Sequence, residues 1–167
     1  MVECKNLDPT ALGLFLVAAV SLPLGLANLI DPSFAGFAPL DGGIFTFLGI
    51  LILFVAYFAY KAESQFGFTV FGLVGAAVAL TGLGMGSWEN ICFAILFLLA
   101  MIWSFIAKTP KLLSMILITT TLVFLVVGLM GFADVDAKIL GIFALLNGIF
   151  ALYLAFALAL ENKLPVF

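Results

Sequence analysis

Apolar residues in this chain run on in long stretches with no short alternation between apolar and polar positions. Six stretches contain no Asp, Glu, Lys or Arg, and they place spans at 10–30, 42–60, 66–86, 91–107, 112–133 and 139–160. About 20 apolar residues, rising about 1.5 Å each in a helix, cross a hydrocarbon core about 30 Å thick. The spans must be helical, because lipid offers no partner to a backbone N–H or C=O. The pattern therefore predicts an all-α membrane protein, with residues 1–167 forming a single six-helix transmembrane domain. The breaks carry turn chemistry: "DPSFAGFAPLDGG" (31–43), "GSWEN" (86–90), "AKTPK" (107–111) and "FADVDAK" (132–138). Pro23 falls inside the first span, where it is expected to kink the helix and release a carbonyl.

Composition closes off the soluble alternative. The chain is 66% hydrophobic and 9% charged, against about 25% charged in a soluble domain, so too little polar surface exists to cover six core helices. The charges that remain set an orientation. All six basic residues are lysines, and with six spans Lys5, Lys61, Lys108, Lys111 and Lys163 share one side while only Lys138 lies opposite. Cytoplasmic loops concentrate positive charge, so both termini are expected in the cytoplasm and the protein in the cell membrane. Asp31, Asp41, Glu89, Asp134 and Asp136 fall on the other face. The first span is too long for a signal-peptide core and reads as a retained helix.

The absences narrow the chemistry. The net charge of -3 argues against a nucleic-acid partner. There is no histidine or arginine, and no acid or lysine lies deep in a span. Triads, metal sites and carboxylate proton relays lack their usual groups. No enzyme activity, cofactor or metal is expected. Cys4 and Cys92 fall on opposite sides, and Cys92 is expected to pack as a small hydrophobe.

Small residues supply the packing signal. In the third span Gly72, Gly75, Ala79, Gly82 and Gly86 recur at helical spacing, predicting a seam on one face and a central position for that helix. Gly42 and Gly49, and Gly141 and Gly148, are each one heptad apart. Among the polar residues inside spans, serines and threonines can satisfy themselves on the carbonyl four residues back. Asn147 is the stronger signal, because an amide in hydrocarbon needs a partner, and it either bridges helices or lines a path. Of Thr119, Thr120 and Thr121, at least one faces the interior, because successive residues lie about 100° apart.

Several segments resemble the acetate uptake transporter family, the succinate–acetate permease type. "LDPTALGL" (7–14) is similar to its opening signature Asn-Pro-Ala-Pro-Leu-Gly-Leu, and "APLDGG" (38–43), "AYKAESQFGFTVFGLVG" (59–75) and "NGIFALYLA" (147–155) resemble later segments. The resemblance implies six helices per protomer, a homohexamer ring held through small-residue faces, and a pore in each protomer for acetate and related short monocarboxylates. Transport in the family is described as proton-coupled or channel-like. Its pore narrows at three apolar side chains, which correspond here to Val17, Val74 and Thr120. Asp8, Leu12, Phe66, Thr69, Phe71, Thr121 and Asn147 are the expected lining of the path, with Phe68 a further ring near it and Val78 facing lipid. Asp8 replaces the signature Asn, Ala11 its second Pro, and valines replace two aromatic gate residues. The expected function is a channel or facilitator for short-chain monocarboxylates. The alternatives are a pore for a neutral solute and a non-conducting membrane subunit.

Overall fold

The computed structural model describes residues 9–30, 42–160 and 164–165. They form α1 (Thr10–Ile30), α2 (Gly42–Lys61), α3 (Gln65–Gly82), α4 (Ser87–Ile106), α5 (Lys111–Met130) and α6 (Ala137–Ala159). All six are long and apolar enough to cross a membrane, and the chain is a multi-pass membrane protein.

The helix ends show where the sequence reading drifts. α3 stops at Gly82 and does not continue to 86, because Gly84 turns left-handed at φ 90° and Met85 N–H donates to the Leu80 carbonyl (3.1 Å). That six-to-one bond closes a helix C-terminus. "GSWEN" is then the first turn of α4, where Glu89 meets the positive end of the helix dipole. α5 ends at Met130, short of the expected 133. The same closure ends α2, with Ser64 N–H on Ala59 O (3.0 Å), and α4, with Thr109 N–H on Ser104 O (3.2 Å). There the left-handed positions are held by Glu63 (φ 58°) and Lys108 (φ 52°), residue types that carry a Cβ penalty. α1 runs unbroken through Pro23, which sits on its exposed side.

The helices associate in pairs. α1 packs most extensively on α6, α2 on α3 and α4 on α5, and α5 ties its pair to α6. Glycines set the close approaches. A Cβ on Gly49 would lie 2.7 Å from Ala79 Cα, and one on Gly75 would lie 2.8 Å from Leu53 Cγ. Gly82 abuts Gly42 and Thr46. Between α1 and α6, Cβ atoms on Gly25, Gly141 and Gly148 would meet Leu145 N at 2.6 Å, Leu29 Cγ at 2.8 Å and Leu22 Cδ2 at 2.7 Å. Between α4 and α5, Ser104 and Ser114 share a buried hydrogen bond of 2.6 Å.

Three packing expectations change. The α3 seam is real at Gly75, Ala79 and Gly82, but it meets α2 of the same chain, so it is not a face between protomers. Gly72 has nothing near it and Gly86 lies outside the helix. α3 is not central: it is half of a hairpin with α2 and touches α1 and α4 only lightly. Cys92 is exposed on α4, not packed inside.

Candidate functional site

α1, α3 and α5 all begin at the end of the bundle that carries the turn at Lys61–Ser64, the turn at Lys108–Pro110 and residue Thr10. Val17, Val74 and Thr120 each lie seven to nine residues into their helices. At about 1.5 Å per residue that is roughly 10–14 Å along, near the middle of a span. All three are buried, at 7%, 8% and 6% exposure.

Two internal cavities meet at these residues. The first, about 80 Å³, runs from Thr10, Ser64 and Phe66 past Leu14, Val70, Phe71, Leu113, Ile116 and Leu117. The second, about 40 Å³, continues toward the other end between Val20, Ser21, Phe45, Val78, Thr81, Val123, Phe124 and Asn147. Val17, Val74 and Thr120 line both. They form a waist with one apolar or hydroxyl-bearing side chain from each of α1, α3 and α5. Beyond the first cavity an open cleft of about 510 Å³ is lined by Tyr60, Lys61, Glu63, Ser64, Gln65 and Phe68, so Ser64 belongs to cleft and cavity alike. Among the described residues lining these three spaces, Lys61 is the one with a cationic side chain.

A polar node stands beside the waist. Asn147 on α6 accepts at Oδ1 from Thr119 (2.8 Å) and Thr120 (3.1 Å) on α5 and donates from Nδ2 to Ser21 Oγ (3.0 Å) on α1. The amide thus joins three helices and also lines the second cavity. The Thr119 and Thr120 hydroxyls also lie 3.0 Å and 2.8 Å from the Ile116 carbonyl, so each single proton has competing acceptors.

The other expected path residues divide. Phe71 is buried on the first cavity, its ring filling the space left by Gly13 of α1. Phe66 reaches the same cavity while standing edge-on to Trp103 (5.1 Å between centroids). Leu12 does not belong: it is 55% exposed, about 200° around α1 from the inward Leu14. Thr69 and Thr121 line neither cavity, and their hydroxyls are spent on the carbonyls of Gln65 (3.0 Å) and Leu117 (2.8 Å). Phe68 is exposed and packs on Tyr60 (5.7 Å). Asp8 lies outside the described residues. Val78, expected to face lipid, is 7% exposed and lines the second cavity, four residues along the same face from Val74. Ser21, Phe45, Val123 and Phe124 were not foreseen as lining. Ser21 stands four residues beyond Val17, and that spacing is the signal that could have found it.

No family model matches the chain, and no curated protein matches it by sequence. By fold it is similar to a solved structure described as the bacterial acetate channel SatP. The TM-score is 0.80 at 23% identity, covering 98% of this chain and 100% of that one.

Proposed function

We propose that this chain is a divergent member of the acetate uptake transporter family, conducting acetate and related short-chain monocarboxylates through a pore in each protomer. The observation that carries the reading is the waist: the three residues that sequence resemblance puts at the family's narrowest point are the three that two cavities share here. The fold likeness to an acetate channel supports the same solute class. In this reading Lys61 at the cleft gathers anions, and Ser64 leads from cleft to first cavity. At the waist an ionised carboxylate loses most of its water, which costs far more than desolvating the neutral acid. Either the protonated acid crosses, or the anion keeps part of a water file. Termini in the cytoplasm, as the lysine distribution favours, would make the Lys61 cleft the cytoplasmic mouth, and the protomers assemble as a ring of six.

A second reading rests on the same lining. Among the described residues neither cavity carries a charged side chain, which equally suits a small neutral solute. Flux into liposomes holding the purified chain separates the two. Acetate, propionate and formate should pass faster than acetamide or glycerol. Neutral solutes passing with acetate excluded would replace the carboxylate reading, and no flux of any solute would mark a non-conducting subunit.

A further inference from the structure

The outer side of α2 carries an apolar groove. Ile50, Leu53, Phe54 and Tyr57 line it around a space of about 360 Å³, and all four are exposed. Positions 50, 54, 57 and 61 recur at helical spacing, so Lys61 ends the same stripe. Its Nζ stands over the Tyr57 ring, 5.6 Å from the centroid, and its side chain lines the open cleft at the helix end. One lysine thus joins an apolar groove to a polar cleft. The other charge on that cleft is Glu63. Among the described residues neither Lys61 nor Glu63 has an ion-pair partner. Glu63 also keeps its place at φ 58°, where a glycine would cost less.

We infer that α2 holds one phospholipid with a zwitterionic, primary-ammonium headgroup: its phosphate on Lys61, its ammonium on Glu63 and an acyl chain along Ile50, Phe54 and Tyr57. Length argues for a lipid. Ile50 lies 11 residues before Lys61, about 16 Å along the helix, which is about half of a hydrocarbon core about 30 Å thick. The groove is as long as one leaflet and too short for the spanning helix of another chain. Charge argues for the headgroup. One cation and one anion on the cleft match a phosphate and an ammonium, and the ammonium donates charge-assisted hydrogen bonds to a carboxylate. An anionic headgroup would set a second negative charge beside Glu63. Tyr57 and Tyr60 stand at the level where aromatic side chains mark the interface. The site lies outside the pore and holds whatever the pore conducts; in a conducting chain, headgroup and entering anion compete for Lys61.

The test is tryptophan quenching by phospholipids with brominated acyl chains, using the full chain in vesicles with Trp88 and Trp103 replaced by Phe. Phe54→Trp then reports on the groove. Leu99→Trp reports on ordinary lipid contact, since Leu99 is exposed on α4 and lies as far from that helix's end as Phe54 does from the end of α2. With brominated phosphatidylethanolamine mixed into phosphatidylglycerol, quenching at 54 should saturate at a lower lipid fraction than at 99. Lys61→Gln or Glu63→Gln should raise the fraction needed about two- to fivefold, the worth of one exposed ion pair. Equal curves at 54 and 99 would overturn the site, and a preference that survives both substitutions would overturn the assigned charges. A preference for brominated phosphatidylglycerol in the converse mixture would overturn the headgroup. Quenching at 99 with none at 54 would give the groove to a second copy of the chain in place of lipid. In the unaltered chain, native mass spectrometry should retain phosphatidylethanolamine over phosphatidylglycerol, and even retention of the two counts against the site.

Discussion

At Thr120 one hydroxyl proton lies within reach of the Ile116 carbonyl and Asn147 Oδ1, at 2.8 Å and 3.1 Å. This competition is what a single residue in the sequence does not reveal, because a threonine in a span ordinarily satisfies itself on its own helix. Asn147 was legible, since an amide in hydrocarbon must find partners. Leu12 lines neither cavity, because a resemblance carries identity along the chain but not the angle around the helix, whereas Val17 and Val74 line both. Their sizes make a sharp prediction. Val74→Phe should fill the aperture and cut acetate flux per molecule at least about tenfold, equivalent to a barrier about 1.4 kcal/mol higher. Val74→Ala should raise flux and weaken size selection. The control position is Leu96 on α4, which is 40% exposed, since Val78 lines a cavity. Equal flux in Val74→Phe and parent would remove the waist from the conduction path.

Among the elements, the glycine pattern located the seams but not their partners. Spacing shows that Gly75, Ala79 and Gly82 share a face; only the packed chain shows that the face meets Gly42, Gly49 and Leu53 of α2. Gly75→Leu should force α2 and α3 apart, costing about 1–3 kcal/mol or more as overpacking does. The expected result is a lower unfolding temperature in detergent with the number of protomers unchanged. A changed oligomer at full thermal stability would return the seam to the protomer interface. The helix ends were read less well, because a left-handed closing residue is legible only when it is glycine. Gly84 is one; Glu63 and Lys108 do the same task with a Cβ. Glu63→Gly should therefore stabilise the chain by roughly 0.5–1 kcal/mol, the part of the left-handed penalty not returned by the freer unfolded backbone. A thermal or denaturant titration reads the sign directly.

For the molecule as a whole, span number followed from charge-free length, while the pairing of α1 with α6, the two ends of the described bundle, is a long-range contact no local pattern encodes. Orientation is tested by single cysteines at 61 and 134 in a background lacking Cys4 and Cys92. An impermeant reagent should reach the residue-134 site from outside the cell and the residue-61 site only after lysis, and labelling of both from one side would refute the six-span topology. Native mass spectrometry should find a ring of six. The hairpin of α2 and α3 is knitted by glycines along its length yet only lightly attached to α1 and α4. It carries Val74, and a valine in a helix has one strongly preferred rotamer. An aromatic side chain can swing aside on its own bonds, but a waist of two valines and a threonine, all β-branched, has no such hinge. Widening this aperture means tilting the whole hairpin, a motion of microseconds to milliseconds, not the picoseconds to nanoseconds of a rotamer flip. Conduction should then feel the stiffness of the surrounding bilayer, and fall steeply when the lipid freezes.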